Sequence, residues 1–217
     1  MPNVEKIVVV DYGMGNLHSV YSALVQVADS RVSIQISHDV DAIENADKIV
    51  FPGQGAAADC MHAISSLGLQ QTVIDAAKEK PFLGICMGMQ VLLDHSDENG
   101  GTPCLGMYSG AVRNFSADFD AGQQQELKVP HMGWNTINHL VDHPLWAGIP
   151  QNSYFYFVHS YYVAVNDQGI IAGMTDYGIE FASVIAGDKV FAMQCHPEKS
   201  ADNGLKLLKN FLNWNGN

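Results

Sequence analysis

The positions of apolar and polar residues divide the chain into a regular first half and a less regular second half. In the first half, short apolar runs that predict strands alternate with stretches of helical periodicity. The predicted strands are KIVVVDYG (6–13), RVSIQIS (31–37), DKIVFPG (47–53) and PFLGI (81–85). The predicted helices cover about 16–28 and 56–80, the second interrupted near Gly68. Alternation of this kind is typical of parallel βαβ units.

The second half is dominated by shorter strand-like runs rich in β-branched and aromatic residues, among them SYFYFVHSYYVAV and KVFAMQ. Two polar segments, 94–103 and 116–128, predict surface loops. Leucine and phenylalanine then recur at helical spacing within 200–214, so we expect a helix to close the fold. The two halves together predict a single α/β domain over residues 1–217, with a mostly parallel central sheet flanked by helices.

Composition and charge narrow the possible classes of function. The chain has 217 residues, 47% of them hydrophobic and 16% charged, which is typical of a soluble enzyme. Eleven Lys and Arg residues against 23 Asp and Glu residues give a net charge of −12. That balance provides no electrostatic footprint for nucleic acid or for an anionic membrane surface. We therefore expect a basic, neutral or small-molecule partner.

Cysteine usage and the lack of a long apolar segment indicate a cytoplasmic protein with reduced thiols. The four cysteines, at positions 60, 86, 104 and 195, show neither a C-x-x-C pair nor Cys/His spacing of the zinc type. We expect no disulfide framework, no metal and no cofactor.

The pentapeptide GICMG (84–88) is the first candidate for chemistry. At a sharp strand-to-helix turn the central residue takes a strained backbone conformation and leaves no room for flanking side chains, so glycine is favoured there. Such a turn would expose the Cys86 thiol at the carboxyl edge of the sheet, followed by helix N–H groups that favour a thiolate. A buried cysteine between incidental glycines explains the pentapeptide alone equally well.

Two further segments supply what a thiolate nucleophile needs. In QCHPE (194–198), His196 could accept a proton and Glu198 could hold the imidazole in one tautomer, although such tripeptides are often ordinary loops. In FPGQGA (51–56), glycines would let backbone amides donate to an oxyanion, although Pro-Gly-x-Gly is also a common turn. Cys195 is expected to be a packed residue, because no glycine turn exposes it.

Taken in order, PGQGA, GICMGMQ, KVPHMGWN, YFVHSYY and QCHPE resemble the signature of the class I, or triad, glutamine amidotransferases. Within that family, VDYGMGNLHSV and PHMGWN resemble the glutaminase subunits of imidazole glycerol phosphate synthases. The resemblance extends from about Ile7 to the C-terminal helix. It implies a flavodoxin-like class I glutamine amidotransferase fold, L-glutamine as substrate, and a separate (βα)8-barrel cyclase subunit that uses the ammonia in histidine biosynthesis.

The resemblance also implies a role for individual residues. Cys86 corresponds to the nucleophile that forms a glutamyl thioester, His196 to the general base and acid, and Glu198 to the residue that orients this histidine. The backbone amides of Met87 and Gln54 correspond to the oxyanion donors. Family members usually carry valine where Gln54 stands, so a polar side chain here could change how readily the loop turns its N–H inward.

Glutamine recognition is the role that the resemblance implies for a second set of residues: Gly53, Gly55, Gln90, Ser160 and Tyr161. Without the resemblance, Gln90 would be interpreted as a solvated helix residue, and Ser160 and Tyr161 as strand positions that face opposite ways. A neighbouring imidazole, His159, lies in an aromatic run and is expected to be a hydrogen-bonded structural histidine.

The segment HMGWN (131–135) presents Met132 and Trp134 around a glycine. Aromatic and methionine side chains are enriched at protein interfaces, and the resemblance implies that this segment lies near the docking face. Burial of Trp134 in the core is the alternative, and the sequence leaves both open.

Three other functions are compatible with these motifs. The same glutaminase chemistry could serve a different acceptor, such as a sugar nucleotide that is aminated in surface polysaccharide synthesis. A general Cys-His hydrolase or protease would turn over other amides without a partner. A catalytically idle interaction module is disfavoured, because such a protein has no chemical reason to retain Cys86, His196 and Glu198 together.

Overall fold

Strands and helices alternate through the first half of the computed structural model, which describes residues 4–217. The strands among residues 4–217 are β1 (Glu5–Val10), β2 (Val32–Ser37), β3 (Lys48–Gly53), β4 (Phe82–Cys86), β5 (Leu93–Ser96), β6 (Thr102–Pro103), β7 (Tyr108–Asn114), β8 (His131–His139), β9 (Ser153–His159), β10 (Tyr161–Val165), β11 (Ile171–Asp176), β12 (Glu180–Ala186) and β13 (Val190–Met193). Its α-helices are α1 (Leu17–Val27), α2 (Val40–Glu44), α3 (Ala57–Ser66), α4 (Gln70–Glu79), α5 (Met87–Gln90), α6 (Phe115–Asp118), α7 (Ala121–Glu126) and α8 (Ala201–Asn213).

The first four strands and their helices follow the hydrophobic pattern. β2, β3 and β4 begin and end within one residue of their predicted limits, whereas β1 ends at Val10, before a turn. The side chain of Asn16 caps α1 by accepting the Ser19 N–H. Gly68, at a φ of 67°, separates α3 from α4 where the interruption was predicted.

The central sheet has the strand order β2-β1-β3-β4-β13, and all four of these pairs are parallel. This is the order of a flavodoxin-like doubly wound sheet, in which ligands bind at the carboxyl ends of the strands. From β13 the sheet continues into antiparallel strands β12, β10 and β7. The paired strands β8 and β9 join it through β11. The predicted α/β class with a parallel central sheet is confirmed.

Helices cover both faces of the parallel strands. Consecutive residues of β1 point to opposite faces, so Ile7 packs in a cluster with residues of α1 and α8, and Val8 in a cluster with residues of α2, α3 and α4. All five residues of β4 are buried, as expected for a central parallel strand.

Both segments predicted as loops contain regular structure, so those predictions were incomplete. Part of β5 and all of β6 lie within 94–103, and part of α6 and all of α7 lie within 116–128. Asp120 and Gln123 form a capping box that starts α7, and buried Phe115 and Phe119 anchor the segment. The capping pattern is short and surrounded by polar residues, which conceals it in the sequence.

The predicted domain begins at residue 1, and residues 1–3 lie outside the described part of the chain. Among residues 4–217, no helix combines the length and apolarity that crossing a bilayer requires.

Candidate active site

Cys86 stands at a strained turn between β4 and α5. Its φ of 55° and ψ of −110° fall outside the usual conformations of a non-glycine residue. A Cβ atom on Gly84 would lie 2.9 Å from the Gly88 carbonyl oxygen, and one on Gly88 would lie 1.8 Å from the Phe51 carbonyl oxygen. The turn therefore requires glycine on both sides, as the sequence pattern predicted. The helix that follows has only four residues, so it offers first-turn N–H groups and little of a long helix's dipole.

His196 reaches the same edge of the sheet because β13 runs parallel to β4. Ile85 pairs with Met193, so the residues after both strands end side by side. His196 Nδ1 lies 2.8 Å from Glu198 Oε1, and both side chains are buried. Its other nitrogen, Nε2, is buried and has no hydrogen-bond partner among residues 4–217. The ring is thus held on one side and left free on the other for proton transfer.

The charge on His196 depends on its two neighbours. Burial by itself lowers the pKa of His196, but interactions with the Cys86 sulfur and the Glu198 carboxylate outweigh it and raise the pKa to about 10. An imidazolium beside a sulfur stabilises the thiolate. His196 is therefore charged at neutral pH, and its charge favours negative charge on the Cys86 sulfur.

A cavity of about 740 Å³ opens above this pair. Its lining includes eight of the residues singled out from the sequence: Gln54, Gly55, Cys86, Met87, Gln90, Ser160, Tyr161 and His196. Two others support the lining from behind. Gly53 is buried beneath the loop, and Glu198 lies behind His196.

The loop after β3 lies directly beside the turn at Cys86. Gly53 pairs with Cys86 across the parallel strands. A Cβ atom on Gly53 would lie 2.1 Å from the Tyr12 hydroxyl oxygen and 2.8 Å from Met87 Cβ, so only glycine fits. Met87 is the first residue of α5, and its N–H has no acceptor within the helix. The Cys60 thiol donates to the Gln54 carbonyl at 3.5 Å.

Gln90 is only 3% exposed, so its interpretation as a solvated helix residue is wrong. Its Nε2 donates to the Tyr161 carbonyl at 3.1 Å and to Gln194 Oε1 at 2.8 Å. His159 Nδ1 bonds to the same Tyr161 carbonyl at 2.8 Å, and His159 Nε2 lies 2.8 Å from His131 Nδ1. Both ring nitrogens of buried His159 are therefore hydrogen bonded, as predicted.

Several residues of the cavity were missed by the sequence reasoning. They are Gly13, Met14, Gly15, Glu98, Pro130, Val158 and Lys199 as lining residues, and Gln194 just behind them. His159, which was expected to be structural, also lines the cavity. The Gly-x-Gly pair after β1 was an available signal for the first three, since it follows the carboxyl end of a predicted strand. Glu98 lies in the polar segment that was interpreted as a loop, and its Oε2 accepts the Ala57 N–H at 2.7 Å.

An exposed aromatic strip lies on the outer face of β8 and β9, beside the cavity. We define it by Met132, Trp134, Tyr154, Tyr156 and Val158, whose alternating positions share that face. Trp134 is 52% exposed, so its interpretation as a core residue is wrong. Because Val158 also lines the cavity, the strip reaches the cavity mouth.

A cysteine at a strand-to-helix turn, a histidine held by a glutamate and a glycine loop beside them are the arrangement of a Cys-His amide-transfer enzyme. The family described as glutamine amidotransferase class-I matches residues 8–214, and the chain belongs to this family. It is a glutamine amidotransferase enzyme.

Two relatives indicate which members of the family this chain is similar to. A protein of Hydrogenovibrio crunogenus named imidazole glycerol phosphate synthase subunit HisH is 55% identical over 216 residues, covering 100% of both chains. A Methylococcus capsulatus protein of the same name is 52% identical and covers 97% of each chain. Among solved structures, a chain of PurLQS from Thermotoga maritima superposes with a TM-score of 0.70 at 17% identity, covering 96% of this chain and 98% of that one. That last likeness supports the fold.

Proposed function

We propose that this chain is the glutaminase subunit of an imidazole glycerol phosphate synthase. It would hydrolyse L-glutamine and deliver the ammonia to a (βα)8-barrel cyclase subunit, with the whole chain working as one amidotransferase domain. The observation that carries the proposal is the placement of Cys86, at a strained turn, beside a histidine that Glu198 holds. The full-length identity to proteins named as this subunit supports the choice of partner.

The chemistry begins with the Cys86 thiolate. It attacks the side-chain carbonyl carbon of glutamine to give a tetrahedral intermediate. His196, charged at the start, donates its proton to the leaving nitrogen, so ammonia departs and a glutamyl thioester remains. The neutral imidazole then takes a proton from water, which attacks the thioester and releases glutamate. Glu198 stabilises the charged imidazole at both stages through its 2.8 Å hydrogen bond.

The oxyanion of each tetrahedral intermediate needs donors that point at it. The N–H of Met87 is one, because the start of α5 leaves it without a helical acceptor. The N–H of Gln54 is the second in our proposal, once its loop turns that amide inward. The Gln54 carbonyl accepts a hydrogen bond from the Cys60 thiol. This bond would anchor one side of Gln54 while its amide turns inward.

Substrate binding would use the walls of the cavity. Gln54, Gly55, Ser160 and Tyr161 all line the cavity and would contact the substrate. Gln90 contributes a carboxamide whose direction is set by its bonds to Tyr161 and Gln194. Glu98 supplies a carboxylate on the cavity wall that suits the α-ammonium group of an amino acid.

The aromatic strip is the proposed docking face for the cyclase. A partner seated there would cover the cavity mouth, which keeps ammonia from escaping to solvent. Exposed aromatic and methionine side chains are typical centres of protein interfaces. None of the five side chains that define the strip carries a charge.

The proposal is tested by measuring ammonia release from glutamine with and without the cyclase of the same organism, loaded with its own ligand. We expect stimulation by the loaded cyclase and loss of release in Cys86→Ser. Equal release by the Cys86→Ser variant and the unmodified chain would overturn the amidotransferase assignment. Stimulation by a sugar-nucleotide amination partner instead would reassign the acceptor, and turnover of other amides without a partner would indicate a general hydrolase.

A further inference from the structure

Gln194 occupies a position beside the nucleophile that the mechanism above does not use. It follows Met193, the last residue of β13, and Met193 pairs with Ile85, the residue before Cys86. Gln194 is therefore opposite Cys86 at the end of two parallel strands. Its side chain is fully buried, with Nε2 at 3.6 Å from Cys86 Sγ.

The hydrogen bonds around Gln194 have a fixed direction. A backbone carbonyl can only accept, so Gln90 must present its NH2 group to the Tyr161 oxygen. The same NH2 group lies 2.8 Å from Gln194 Oε1, which must then be the acceptor. The amide nitrogen of Gln194 is left facing the sulfur of Cys86. The sulfur is thus the acceptor, and an N–H donor aimed at sulfur favours the thiolate over the thiol.

A histidine pair bonds to the same Tyr161 carbonyl through His159. His159 Nδ1 must also donate to the Tyr161 carbonyl, so its Nε2 accepts from His131 Nδ1. Both rings are then neutral, and burial lowers the pKa of His131 to about 4 and that of His159 to about 3. The Tyr161 carbonyl therefore accepts from both Gln90 and His159.

We propose that Gln194 is a positioning residue that holds the Cys86 thiolate with its amide N–H and fixes the carboxamide of Gln90 with its carbonyl oxygen. This inference rests on the proposed function for its catalytic meaning. One side chain then joins the nucleophile to the substrate-binding wall, and the two duties use different atoms of that side chain.

Substitution can separate the two duties. Gln194→Glu keeps an oxygen acceptor for Gln90 but replaces the donor to sulfur with a second oxygen. Gln194→Met keeps a side chain of similar volume and removes both hydrogen bonds. Gln70→Glu makes the same chemical change at an exposed position at the start of α4 and serves as the matched control.

The primary readout is the pH dependence of Cys86 alkylation by iodoacetamide, without glutamine, with the modified cysteine located by peptide mass spectrometry. We expect the pH midpoint to rise by about one unit in Gln194→Glu, about a tenfold loss of thiolate at a given lower pH, and by less in Gln194→Met. Gln70→Glu should leave it unchanged. An unchanged midpoint in both Gln194 variants would overturn the proposal. Because the alkylation assay uses no glutamine, its result tests the contact even if glutamine is not the substrate.

Two further measurements complete the test. In the glutaminase assay with the cyclase, Gln194→Glu should lower kcat with little change in KM, whereas Gln194→Met should also raise KM. In the unmodified chain, the side-chain amide NMR signals of Gln194 should titrate at the alkylation midpoint of Cys86. Signals that do not move through that midpoint would contradict the contact without requiring any variant to fold.

Discussion

Cys86 and His196 show how single residues acquire function from their immediate surroundings. A positive φ at Cys86 lifts its sulfur out of the strand direction, and the turn persists because Gly84 and Gly88 leave the neighbouring backbone room to approach. His196 is buried, which opposes its charge, yet Glu198 and the sulfur reverse that effect. The charge on His196 therefore depends on both the Glu198 carboxylate and the Cys86 sulfur.

Glu198→Gln tests this dependence at the residue scale. Removing the carboxylate charge should lower the pKa of His196 from about 10, because burial then meets less opposition. The pKa is measured from the imidazole NMR signals across a pH titration. Glutaminase turnover should fall on the order of 10²-fold or more, since a proton donor is lost at neutral pH. The exposed Glu126→Gln variant is the control, and an unshifted His196 signal would contradict the assignment.

At the scale of elements, the geometry of the site depends on the packing of the loop after β3 against the turn after β4. Gly53 lies between Tyr12 and Met87 with no room for a side chain. The loop can hold its backbone amides near Cys86 only while Gly53 packs between Tyr12 and Met87. In the proposed mechanism, the turn after β1 carries no reacting atom but would position an oxyanion donor through this contact.

Gly53→Ala should displace the loop and remove one oxyanion donor. We expect kcat to fall about 10²- to 10³-fold, because a missing oxyanion donor acts mainly on the transition state. The double variant Gly53→Ala/Tyr12→Phe removes the hydroxyl oxygen that the new methyl group meets at 2.1 Å, so it should recover part of the loss. Tyr12→Phe alone is the control. Equal activities of the single Gly53 variant and the double variant would show that this contact does not place the loop.

At the scale of the whole molecule, buried histidines make stability depend on pH. The pKa of His159 is lowered to about 3 by burial, against about 6.5 in an unfolded chain. The unfolded chain therefore binds an extra proton between these values. The stabilising contribution of neutral His159 is complete above about pH 6.5 and is lost as the pH falls toward 3.

His159→Gln should therefore flatten the pH dependence of the free energy of unfolding. Between pH 8 and pH 5 the unmodified chain should lose on the order of 2 kcal/mol through this residue, and the variant should not. Denaturant unfolding at both pH values measures the difference. His62→Gln, at an exposed position, is the matched control, and parallel curves for His159→Gln and the unmodified chain would refute the prediction.

The aromatic strip gives a second prediction at this scale. Trp134→Ala should weaken cyclase binding by about 2 kcal/mol or more, the size expected of a central aromatic contact, while leaving the unfolding free energy nearly unchanged because the side chain is exposed. Leu67→Ala, a comparably exposed apolar residue on the far end of α3, is the control. Calorimetric titration with the cyclase measures the affinities of both variants. Equal affinities of Trp134→Ala and the unmodified chain would show that the docking face lies elsewhere.

Much of the fold follows from local pattern. The first four strands, the break near Gly68 and the closing helix were predicted from periodicity and glycine placement, because these features act between neighbours in the sequence. The order of the glycine turn, the glycine loop and the QCHPE segment likewise indicated the family, which the match over residues 8–214 bears out. The short helices within 116–128 were missed, since a capping box in polar surroundings gives a weak signal.

Tertiary structure alone decided the surroundings of the site residues. The contact of Gln194 with Cys86 joins residues 108 positions apart, and that with Gln90 joins residues 104 apart. The burial of Gln90 and the exposure of Trp134 also depend on which strands become neighbours. Local pattern determines how a segment folds and which side chains it offers. Which of them meet, in which direction their hydrogen bonds run and what charge they carry depend on the register between β4 and β13, because only packing of distant strands places those atoms within bonding distance.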